Sequence, residues 1–132
     1  MKVALSVLAA VGGLLLVLAG HAAAHHSFAA EFDANQPIEL TGIVTKVEWM
    51  NPHTFFYIDV SGTTVENWAW EMGSPNGLMR RGWTRNSMKV GDVVTVEGSR
   101  AKDGSNKANA RSVVLQSTGR RLFAGSSQED AP

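Results

Sequence analysis

The residues whose type and placement carry the most specific chemistry in this 132-residue chain are three histidines, His25, His26 and His53. His25 and His26 directly follow the small residues Ala22-Ala23-Ala24, and His53 follows Asn51-Pro52. Neutral imidazole is the commonest protein ligand for transition metals, and an adjacent free α-amine would turn one histidine into a chelate. Copper(II) heads the divalent first-row series in affinity and favours tetragonal nitrogen donors, whereas structural zinc takes tetrahedral sets that usually contain Cys. The chain has no Cys. Met50, three residues before His53, would add a soft thioether if copper(I) were held. The sharpest expectation is therefore a copper-type ion at His25, His26 and His53, with Met50 as auxiliary ligand. The plainer reading is a solvated histidine arm, a His53 that bonds the backbone at a strand end, and a structural or interaction domain without metal.

The metal reading depends on where the mature chain starts. Lys2 precedes the uncharged apolar run Val3 to Gly20, and Ala22 and Ala24 satisfy the small-residue rule for cleavage, so residues 1–24 read as a secretory signal. An uncleaved anchor is the alternative, because the run approaches bilayer length. Cleavage after Ala24 makes His25 terminal, an arrangement resembling the histidine brace of copper monooxygenases. Cleavage after Ala22 or Ala23 puts a histidine third from the free amine, as in amino-terminal copper- and nickel-binding motifs. Removal of the leader takes Lys2 from 12 cations set against 12 anions, leaving a net charge of about −1 with no stable membrane span. The expected location is periplasmic or secreted.

Near-neutrality removes the basic footprint of a nucleic-acid binder, so no nucleic-acid partner is expected. A second chemistry is stacking: Trp68 and Trp70 share a face of one strand, Trp49 lies on a neighbouring strand, and such a row could bind sugar rings or an envelope component if the indoles were wet. Glu31, Asp33, Glu66 and Glu71 are scattered acids with no spacing that implies a catalytic pair. Ser27 beside His26 is no triad, and no phosphate-cradling loop is present. A binding or accessory role, rather than an enzyme, is expected.

Three strands, a short helix and two further strands must position these groups. Residues 25–37 read as an arm pinned by Phe28 and Phe32. Ile38 to Trp49 alternates with a period of two, and Gly42 marks a bulge or bend. His53 to Val60 and Thr63 to Met72 continue a meander, with Glu66, Trp68, Trp70 and Met72 on one face of the latter. Ser74-Pro75 opens a short helix that Gly82 ends. Val93 to Glu97 or beyond and Ala108 to Gln116 are the last two strands, with a short extra one at Arg121 to Phe123. This order predicts an all-β domain over residues 38–124 with one short helix, a five-stranded OB-like Greek-key barrel. A small open β-sandwich is the alternative. Residues 125–132 have nothing to bury and read as a disordered tail.

Four segments in order, His25-His26-Ser27-Phe28, Asn51-Pro52-His53, Leu78 to Trp83 and Ala101-Lys102-Asp103-Gly104-Ser105, resemble a family of small exported bacterial proteins grouped as domain of unknown function 6152. The resemblance spans essentially the whole mature chain. It implies export and a small β-rich domain, with no activity attached.

Overall fold

The structure, a computed structural model, describes residues 28–125. The leader, His25, His26 and the stretch Ser126–Pro132 lie outside the described residues. The chain divides into two units, Met1–Glu31 and Phe32–Pro132. Of the first, Phe28–Glu31 are helical. The second holds strands β1 (Phe32–Glu48), β2 (Phe55–Ser61) and β3 (Val65–Glu71), helix α1 (Pro75–Arg80), then β4 (Val93–Ala101), β5 (Lys107–Leu115) and β6 (Arg120–Phe123).

The strands pair in the order β3-β2-β1-β4-β5-β6, and a further parallel pairing of β3 with β5 joins five of them in a ring. All other pairings are antiparallel. The ring runs 1-2-3-5-4, the OB-like Greek-key circuit expected from the sequence. A sixth strand, β6, adds to β5 outside that ring.

The first strand starts earlier than the alternation of Ile38 to Trp49 predicts. Phe32 pairs with Ala101 and Asp33 with Arg100, so part of the expected arm is already sheet. The register then slips before Pro37, a residue without an N–H to give to a ladder. Asp33 closes this excursion, because its carboxylate accepts from the Asn35 N–H at 2.9 Å and from Gln36 Nε2 at 3.0 Å. From Pro37 to Ile43 the strand pairs with β4, and from Ile43 to Glu48 with β2. It changes partner at the place where Gly42 foretold a bend. The bulge itself falls later, between Val44 and Lys46. Gly42 serves close approach, since a Cβ there would lie 2.5 Å from the Asp59 carbonyl oxygen.

Period-two alternation puts Phe56, Ile58, Trp68, Trp70 and Met72 into the interior with Val44, Val94, Val96 and Val113. Trp70 and Phe56 stack across the β2–β3 pair with centroids 6.3 Å apart. Helix α1 begins as expected: Ser74 Oγ accepts the Gly77 N–H at 3.2 Å, and Pro75 occupies the first turn. Gly82, at φ 92°, turns the chain out of it. The helix buries Leu78, and the following Trp83 donates its indole N–H to the Phe123 carbonyl at 2.8 Å. Gly125, where a disordered tail was expected to begin, is buried, and its carbonyl accepts from Arg81 at 2.7 Å. Among the described residues no helix is long and apolar enough to cross a membrane.

A bulge between Glu97 and Gly98 lets β4 follow β5. A Cβ at Gly98 would sit 1.9 Å from the Asn109 carbonyl oxygen, a backbone atom that cannot swing aside. Gly98→Ala should lower stability by about 2–3 kcal/mol or prevent folding. Gly62→Ala, whose added carbon would meet the Thr64 carbonyl oxygen at an ordinary 3.5 Å, should change it by less than about 1 kcal/mol. Urea unfolding of the two variants checks this, and equal midpoints would contradict it.

Glu97 also ties β4 to both following strands. It accepts from Arg111 at 2.5 Å and from Arg121 at 3.4 Å. The hydrogen bond from Arg111, above all, holds its carboxyl below the ordinary value of 4.5, against an opposing effect of burial. The unfolded chain therefore takes up this proton at a higher pH than the native chain. The stabilisation is complete above the ordinary value and fades as pH falls through the depressed native one. The stability difference between wild type and Glu97→Gln should accordingly be largest near neutrality and shrink below about pH 4.5, as read from denaturant midpoints across an acid series.

Candidate functional site

The polar cluster with the most developed geometry lies where β3 ends, β5 begins and the chain enters β2. Each member is placed by a different constraint. The Met50–Thr54 connection, which contains a cis Asn51–Pro52 bond, delivers His53 two residues ahead of β2. Glu71 is the last residue of β3 and faces Phe55 across the β2–β3 ladder. Lys107 is the first residue of β5 and stands opposite Ala69 in the parallel pairing, while Glu71 stands opposite Asn109.

Trp68, Trp70 and Met72 take the inward positions of β3, so Glu71 belongs to its outward face, yet it is only 8% exposed. Its two oxygens are divided between partners. Oε1 is hydrogen-bonded to His53 Nδ1, and Oε2 lies 3.9 Å from Lys107 Nζ. The ammonium of Lys107 in turn sits 5.6 Å from the ring centres of both Phe32 and Phe55, a distance at which the negative ring faces attract it. The His53 side chain keeps 34% of its surface, against 10% for Glu71 and 28% for Lys107. It is the member of this trio with most access to solvent.

Two neighbours are buried polar groups without a partner among the described residues, Thr54 Oγ1 and Asn109 Oδ1; Trp70 Nε1 is a third such atom, in the interior. The main chain of Thr54 is fully engaged, its N–H donating to the Gly73 carbonyl at 3.0 Å and its carbonyl accepting from Met72 at 2.8 Å.

The sequence-derived candidates fare unequally. His53 is in the cluster. Met50 lies in the same connection and is 45% exposed. His25 and His26 are outside the described residues. Among the described residues no group of three or more His, Asp or Glu side chains is arranged to hold a metal. The tryptophans are not a wet row: Trp70 is 0% and Trp68 5% exposed, because the inward register of β3 makes them core. Arg100 covers the ring of Trp68 at 5.3 Å, and Arg85 lies 5.9 Å from that of Trp49, which packs partly against the core. Glu71, Lys107 and Asn109 were missed as site residues. Glu71 was recoverable, since a turn at Gly62–Thr64 fixes the hairpin register that puts it beside the entry to β2. The other two depend on a strand pairing between distant segments.

An open hollow lined by Thr41, Asp92, Val93 and Gln116 lacks comparable chemistry. Asp92, its one acid, already accepts the Lys89 N–H at 2.8 Å.

A ring of five strands with a short helix after the third, and a part-exposed histidine braced by a buried carboxylate, defines a small all-β domain. A family profile described as a family of unknown function, DUF6152, matches residues 12–110, and the chain belongs to that family. No curated protein matches it.

Thr54 supplies a direct test of how this corner is packed. Its buried hydroxyl has no partner among the described residues, so Thr54→Val, a change of nearly equal shape, should leave stability unchanged or raise it by about 1 kcal/mol. A fall of more than that in thermal or urea unfolding would show that the hydroxyl is hydrogen-bonded in solution.

Proposed function

We propose that the chain is exported and acts as a binding or accessory module that holds copper through His53 and the histidines released at its mature amino terminus, His25 and His26, with Met50 nearby in sequence as a soft auxiliary donor. One observation carries this reading: the start of β1 is connected to His53 by a short path of side-chain contacts. Phe32 packs under Lys107, Lys107 approaches Glu71, and Glu71 bonds His53. Six residues lie between His25 and Phe32, and four of them, Phe28–Glu31, are helical.

The donor chemistry supports copper over the alternatives. Amine and imidazole nitrogens suit copper(II), and the chain offers no thiolate for a structural zinc site. The described residues do not by themselves assemble three acidic or imidazole donors, so in this reading the amino-terminal nitrogens complete the set. An exported chain with a processed leader supplies them.

Intact-mass measurement and amino-terminal sequencing of the secreted form should place the mature start at residue 23, 24 or 25. The same sample should take up one copper(II) with a d–d absorption band. His53→Ala should weaken binding by about tenfold or more. Absence of the band, or an affinity no higher than that of a free histidine peptide, would overturn the reading.

A further inference from the structure

We infer that Glu71 is a positioning residue that fixes the His53 side chain as its Nδ1–H tautomer and so makes Nε2 the metal-donating atom. This rests on the copper reading for its consequence, but not for its first observable.

The inference follows from how the carboxylate is held. A carboxylate can only accept, and Glu71 Oε1 bonds Nδ1 of the ring, so Nδ1 has to carry the proton. A neutral imidazole has one N–H, and committing it to Nδ1 leaves the lone pair on Nε2. Free histidine has no such constraint. Glu71 is itself held from three sides. Its backbone is fixed by pairing to both Phe55 and Asn109, its second oxygen faces Lys107, and that ammonium is seated over the rings of Phe32 and Phe55. Rotation of the carboxylate away from His53 would leave a carboxyl group that is 8% exposed without its hydrogen bond. The acceptor is thus stationary, and the ring orients to it.

Metal-bound histidines commonly donate their second N–H to a carboxylate, which fixes ring orientation and raises the basicity of the ligating nitrogen. Here that outer partner is present on the sheet itself. The same contact aligns the ring whether or not a metal is bound.

Long-range proton–nitrogen NMR on the metal-free secreted protein at about pH 8 reads the tautomer directly, with His53→Ala assigning the signals. Wild type should show a protonated Nδ1 and an unprotonated Nε2 at His53. Glu71→Leu, which removes the acceptor and should keep the folded circular-dichroism spectrum, should lose that preference and bind copper(II) about 10–100-fold more weakly. A protonated Nε2 in the wild-type protein overturns the inference with no variant needed. So does unchanged copper affinity in Glu71→Leu when His53→Ala weakens binding. If instead His53→Ala leaves copper affinity untouched while Nδ1 carries the proton, the copper reading fails and the tautomer assignment stands.

Discussion

The parallel pairing of β3 with β5 is the constraint on which the rest of this structure depends. Without it the six strands would form an open sheet with β3 at one edge, and Glu71 would lie on that edge in water. Three register positions, Ala69 with Lys107, Trp70 with Ala108 and Glu71 with Asn109, convert the sheet into a ring. They also place a cation beside a carboxylate that the hairpin has already set near His53. Closure and site are therefore one event: the strands that seal the core are the strands that assemble the cluster. The intervening chain, with α1 and β4, makes the connection, because a parallel pair cannot be joined by a tight turn.

The local half of this architecture was legible from residue types. Alternation in Thr63 to Met72 assigned Trp68, Trp70 and Met72 to one face, and that face is the interior. Ser74, Pro75 and Gly82 marked the ends of the helix because each supplies a distinct backbone requirement. What failed were particular residues whose placement is set by partners far away in sequence. Phe32 to Gln36 lacks periodicity, so nothing local announced that β1 begins there; its pairing with Arg100 and Ala101 decides it. Gly98 went unnoticed because its necessity lies in the Asn109 carbonyl, a group on another strand. The tryptophans were ambiguous for a related reason: an indole row has the same sequence signature whether it faces solvent or core, and only closure of the ring tells which.

The site divides along the same line. His53 could be singled out by type and by its place after a proline. Glu71 looked like one of several scattered acids because its number says nothing of its depth, and Lys107 carries no signal of its own in the sequence. Their juxtaposition is a property of register. Pairing of Phe55 with Glu71 follows from a short turn, whereas pairing of Glu71 with Asn109 follows from the topology of the whole domain.

Energetics argue that this cluster is not there for folding. A buried ion pair removed from water recovers little beyond its own desolvation, and apolar side chains of similar volume commonly serve stability as well or better. Glu71, Ser99 and Asn109 all lie under 9% exposure, so the outer seam of β3, β4 and β5 buries polar groups where valine or leucine would cover the same area without demanding partners. The surrounding sheet follows the opposite practice and fills its interior with Val, Ile, Phe and Trp. A carboxylate is held at that depth with one oxygen toward an ammonium and the other on the ring of a part-exposed histidine. Packing alone would not call for a titratable group at the end of β3; the ligand role proposed for His53 would.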